Sequence, residues 1–140
     1  MAYHSHGRVE FRREGQMLIL DLYGPWNLEA MREANDRSGP LMREMQGDGP
    51  WGLIVEVHGS MLGTSDAVSQ VRRYVTEVKK LDLDRVGVAW VVDPSVEGRD
   101  LMKPVIQGIY QGMYPLRFFT TLADGQRWIE ELIQAAKQEK

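Results

Sequence analysis

Residues 51–66, WGLIVEVHGSMLGTSD, constrain this chain more than any other stretch. The run 51–57 is apolar almost throughout, the pattern of a strand buried on both faces in a parallel sheet. A glycine-containing loop follows, and then an amphipathic helix over 66–81. Val68, Val71, Val75 and Val78 recur there at helical spacing, while Arg72, Arg73, Glu77 and Lys79 lie elsewhere. In open α/β sheets the loop leaving the carboxyl end of such a strand is where ligands and partners bind.

The flanking chain supplies the remaining layers. Val9 and Phe11 alternate with Arg8, Glu10 and Arg12, and Leu18, Leu20 and Leu22 alternate with Met17, Ile19, Asp21 and Tyr23. Period-two alternation on either side of Glu14-Gly15 predicts a β-hairpin with a charged first strand at the sheet edge. Asn27 is placed to cap a helix carrying Leu28, Met31, Asn35, Met42 and Met45 on one face. Ser38-Gly39-Pro40 interrupts that helix, so a kink or two short helices are expected. Residues 86–92 form another apolar strand. A helix over 97–113 presents Leu101, Met102, Val105, Ile106, Ile109 and Tyr110, and a short strand follows at 116–119. Thr121 with Asp124 resembles a capping box before a last helix that packs through Trp128, Ile129, Leu132 and Ile133. The order ββαβαβαβα implies one mixed, mostly parallel sheet with four helices and right-handed crossovers. Residues 1–7 read as a flexible lead-in, 8–136 as one domain, and 137–140 as a frayed end.

Composition narrows the chemistry. The chain of 140 residues carries a net charge of −3, so no overall field attracts nucleic acid or an anionic membrane. Arg8, Arg12 and Arg13 are an edge-strand cluster in an acidic protein, and no nucleic-acid role is expected. With no cysteine, disulfides, thiol catalysis and Cys-ligated zinc are excluded. No segment has the length and apolarity of a membrane span, and the N-terminus lacks a signal-like apolar run, so a cytoplasmic protein is the expectation.

The end of the chain carries a resemblance. Arg85-Val86-Gly87-Val88-Ala89 is similar to the strand that follows the second helix in the SpoIIAA-like branch of the STAS-related fold. Leu116-Arg117-Phe118-Phe119, then Ala123 and Trp128-Ile129, resembles that family's closing strand and tryptophan-bearing helix. The likeness spans roughly residues 8–134. In phosphoregulated STAS relatives an Asp-Ser-(Ser/Thr)-Gly motif opens the second helix and is phosphorylated by a partner kinase. Here the matching stretch is Gly63-Thr64-Ser65-Asp66. It keeps a hydroxyl at Thr64 or Ser65, but no Asp precedes either, no Gly follows, and Asp66 would repel a phosphate. Thr64 or Ser65 reads first as an N-cap with Asp66 in the first turn, and second as a modification site; the two roles are compatible.

Catalytic readings are thin. His58 lies just upstream of Ser60 and Ser65, but there is no Gly-x-Ser-x-Gly elbow, so no enzyme and no cofactor are expected. His4 and His6 share a face but lack a third ligand, so no metal site is expected. Gly59 and Gly63 flank the loop without a Walker or Rossmann fingerprint. Glu56 is unusual, because a carboxylate in an apolar strand must be paired or desolvated. It could line a pocket with His58 on the same face, pair with an arginine on a covering helix, or face solvent; Asp21 poses the same question.

Two features favour binding. Met61 and Leu62 place flexible apolar side chains in the loop, and Met102, Met113, Tyr110 and Tyr114 surround the third helix. The first expectation is a non-enzymatic STAS-like regulatory or interaction module. It would act through His58, Ser60, Met61, Leu62, Thr64 and Ser65 on a protein partner or a second copy. The alternative is a carrier or sensor of a small, largely apolar ligand between sheet and third helix, in a pocket of Glu56, Tyr110, Met102 and Met113.

Overall fold

Alternation in the N-terminal segment sets the edge of the sheet. The computed structural model describes residues 7–81 and 84–139; His4 and His6 lie outside them. Strand β1 (Arg8–Glu14) pairs antiparallel with β2 (Met17–Tyr23), and Gly15 turns the hairpin with a φ of 58°. That left-handed conformation is what a two-residue hairpin turn requires. Strands β3 (Trp51–His58), β4 (Arg85–Val92) and β5 (Leu116–Phe119) follow in parallel, giving the spatial order β1-β2-β3-β4-β5.

This sequential order decides where the helices go. Right-handed crossovers that always step the same way along a sheet place their helices on one face. Helices α1 (Leu28–Gly47), α2 (Ser65–Lys80) and α3 (Arg99–Tyr110) are those crossovers. Their Met31, Ala34, Val75 and Ile106 meet Leu22, Val55, Val88 and Trp90 in one core. Helix α4 (Leu122–Gln138) follows the last strand and is free to cover the other face. There Ile129 and Ile133 pack on Ile19, Ile54, Ala89 and Val91. The approach is close because Gly52 has no side chain; a Cβ there would collide with Ile129.

One helix cannot cover that whole face. Five strands spaced at about 4.8 Å span about 19 Å, whereas a helix with its side chains is about 10 Å wide. Helix α4 lies on β3, β4 and β5. The outer face of β2 is apolar at Met17 and Ile19, which join the core under α4, and polar at Asp21; there and at the end of β3 the face carries polar side chains.

Caps fall where the side chains predict. Asn27 accepts a hydrogen bond from the Ala30 N–H at 3.1 Å, and Thr121 accepts from that of Asp124 at 3.3 Å. Helix α1 is one helix through Ser38-Gly39-Pro40, so of the two expected outcomes the pair of short helices does not form. Pro40 and Asp36, whose carbonyl loses the proline's N–H, both face solvent, and water can satisfy that carbonyl. Helix α3 is shorter than its periodicity suggests, starting after Gly98, and Leu101 is exposed rather than part of the apolar face. No helix of the described residues is long and apolar enough to cross a membrane.

Candidate functional site

The loop after β3 is tied down on both sides. Its backbone bridges Trp26 to Gly63 and Ser60 to Glu97, joining the chain after β2 to the chain after β4. The Ser60 hydroxyl donates to Glu97 Oε1 at 2.8 Å and accepts from the Leu62 N–H at 3.1 Å. Met61, expected to be displayed by the loop, is fully buried in the core of the α1–α3 face. Leu62 turns inward as well, half-buried against Gly98. The reason is geometric: a loop bridged on both flanks is held down against the α1–α3 core. Of the residues read as a contact surface, Thr64 and Ser65 are exposed, His58 is partly exposed, and Ser60 is buried. Thr64 caps α2, accepting from the Ala67 N–H and donating to Asp66.

On the uncovered sheet face the parallel register sets Asp21 opposite Glu56 and Tyr23 opposite His58. His58 Nε2 lies 2.9 Å from Asp21 Oδ1 and 3.8 Å from Glu56 Oε1. The Tyr23 ring stacks on the imidazole at 4.5 Å between centroids. Arg12, from the edge strand, donates to Asp21 at 3.2 Å and to Glu56 at 3.4 Å. Burial pushes the Glu56 carboxyl above its ordinary value; His58 and Arg12 pull it back, and Asp21 adds to the rise. Glu56 and His58 do share a face, but the arginine that pairs with Glu56 comes from a strand, not a covering helix. Among the described residues, Asp21, Glu56 and His58 bring three ligand atoms within 4.8 Å of one another. The cation present between the carboxylates is the Arg12 guanidinium. This is an ion-pair network on the sheet face away from helices α1 to α3.

The opposite face holds a cavity. A space of about 80 Å³ lies between the sheet and helices α1 and α2. One water needs only about 10–15 Å³ measured this way. Leu20, Leu53, Met31, Met42 and Val71 supply apolar wall, and α3 contributes Tyr110. Leu20 and Leu53 face the helices yet are only half-buried, because the helices do not seal against them. Met102 and Met113 do not line this space, and Glu56 lies across the sheet from it. The pocket read from the sequence is therefore displaced from α3 toward α1 and α2, and Glu56 has no part in it.

What distinguishes the cavity is its unpartnered donors. Trp26 Nε1, Asn35 Nδ2, Arg85 Nε and Trp90 Nε1 line it and are buried with no hydrogen-bond partner of normal geometry. Arg85 is 7% exposed. Its guanidinium stands 4.1 Å from the Tyr114 ring centre and 5.8 Å from that of Trp51, and among the described residues no carboxylate pairs with it. A cation–π contact is worth about 0.5–2 kcal/mol, whereas burying an ion costs several kcal/mol. The rings do not offset that cost. Burial raises the pKa of the Tyr74 and Tyr110 hydroxyls, and the charge of Arg85 pulls both back. Arg85 opens an otherwise apolar strand, and that was the sequence signal for it. Its lack of a partner is a tertiary fact.

No family model and no curated protein matches the sequence. In structure the chain is similar to an uncharacterized DUF3478-family protein with a SpoIIAA-like fold from Shewanella loihica PV-4. The TM-score is 0.57 at 11% sequence identity, covering 92% of this chain and 98% of that one. The class that this architecture defines is the SpoIIAA-like α/β module. This chain has that fold.

Proposed function

We propose that the chain is a non-enzymatic regulatory module whose state is set by a small, largely apolar ligand held between the sheet and helices α1 and α2. The observation that carries this reading is the cavity of about 80 Å³, with apolar walls in an otherwise packed core. Interiors close-pack, and a space of this size forfeits dispersion contacts unless something fills it. Met31 and Met42 in its wall can re-pack around guests of different shape.

A ligand here would bear directly on α1 and α2. Helix α2 begins at the exposed Thr64 and Ser65, beside His58 at the carboxyl end of β3. A protein partner or a second copy of the chain would read the ligand-dependent position of that helix start. The loop itself, with Met61 and Ser60 buried, serves as the rigid support.

The test is a thermal-shift screen of small apolar compounds on the wild type and on Leu53→Trp, which fills the cavity. Compounds that raise the wild-type Tm and leave a folded Leu53→Trp variant unmoved support the reading. Equal shifts in both proteins would place the binding elsewhere and refute it.

A further inference from the structure

We infer that the ligand taken up in this cavity is a small carboxylic acid, its carboxylate paired with Arg85 and its short apolar tail lying toward Leu20 and Leu53. The inference rests on the ligand-binding reading above and adds the chemical class. Arg85 is the first residue of β4, so it stands at the amino-terminal end of the parallel strands. The phenols of Tyr74 and Tyr110 lie within its electrostatic reach, and the Tyr114 ring lies under it with a buried hydroxyl that has no partner. Trp90 and Tyr110 also line the cavity, the Trp90 indole N–H lying toward the Tyr110 hydroxyl.

This end therefore offers one fixed positive charge and neutral donors. A planar monoanion that accepts two hydrogen bonds from a guanidinium matches that set. A phosphate dianion would need further charge or a cradle of backbone N–H groups, and the wall supplies neither. The volume sets the size. An engineered cavity of about 150 Å³ holds benzene, so about 80 Å³ suits a short-chain acid better than a long lipid.

The experiment is calorimetric titration of the full chain with propionate, butyrate and isobutyrate, each beside its neutral amide. The wild type should bind at least one acid about tenfold or more tightly than its amide. Arg85→Lys should keep part of that preference, and Arg85→Met should lose it. Arg85→Met should also melt no lower than the wild type without ligand, because it removes a buried charge that has no counter-ion among the described residues. A merely structural arginine would give the opposite shift. If acids and amides bind equally and Leu53→Trp blocks both, the carboxylate assignment is overturned while the ligand-binding reading stands. If no acid outbinds its amide and no compound of any class responds to Leu53→Trp, both fall.

Discussion

Asp21 and Glu56 are direct partners across the parallel β2–β3 register, and the single Arg12 guanidinium reaches both, at 3.2 Å and 3.4 Å. The neighbouring Asp21 carboxylate disfavours the charged form of Glu56. Burial, and then Asp21, hold the Glu56 carboxyl above its ordinary 4.5 despite His58 and Arg12. The folded state thus keeps the Glu56 proton more readily than the unfolded chain. That contribution to stability is complete below the unfolded value and is lost as pH rises through the raised folded value. Glu56→Gln removes the charge, so its Tm should exceed the wild type's at pH 7, with the gap closing as pH falls through the raised folded value and closed below 4.5. Thermal melts across that range check it; a Gln variant less stable at pH 7 would mean that Arg12 outweighs burial.

Met61 anchors the loop after β3 from within. Met61→Ala should cost about 2–5 kcal/mol, the range for emptying a closed core site. Leu101→Ser, on the exposed face of α3, should stay within about 0.5 kcal/mol of the wild type. Chemical denaturation of the two variants measures both. Equal, small effects would return Met61 to the surface.

The close seating of α4 depends on the bare backbone of Gly52 beneath Ile129. Gly52→Ala should destabilise by about 1–3 kcal/mol through overpacking. Ile129→Ala makes room, so the same Gly52→Ala change should cost less in that background. A double-mutant cycle reads the coupling, and additive effects would contradict the contact.

Pro40 sits inside an unbroken α1. Its helical cost relative to alanine is about 3 kcal/mol in an unrelaxed helix interior, reduced here because the orphaned carbonyl faces water. Pro40→Ala should therefore raise the Tm, while Ser38→Ala, which removes the hydrogen bonds to Asn35 and Tyr74, should lower it.

How much of this was legible in the sequence depends on the range of the interaction. The period-two runs of β1 and β2, the Asn27 and Thr121 caps and the apolar β3 and β4 are local patterns, and the element order follows from them. Pro40 misled because sequence does not show which way a helical proline faces. Glu56 stood out as a carboxylate in an apolar strand, but its partner Arg12 lies on the far side of the hairpin. The uncovered face that accepts Glu56 exists because the core under α4 takes in Ile19 of β2 but not Asp21 or Glu56. Met61 looked like a displayed side chain because the bridges from Trp26 and Glu97 that hold its loop down against the core are long-range. Arg85 was visible as the charge opening β4. Only the assembled core shows that, among the described residues, the rings of Trp51 and Tyr114 and no carboxylate stand against it.

The most direct test of the account uses the four tryptophans the chain contains. Trp26 and Trp90 line the cavity, whereas Trp51 and Trp128 do not. In a ¹H–¹⁵N spectrum of the indole N–H groups, titration with butyrate should shift the Trp26 and Trp90 resonances saturably and leave Trp128 in place. Movement of Trp128 with Trp26 and Trp90 unchanged, or no saturable movement of either cavity indole with any small acid or neutral analogue, would contradict the cavity as the binding site.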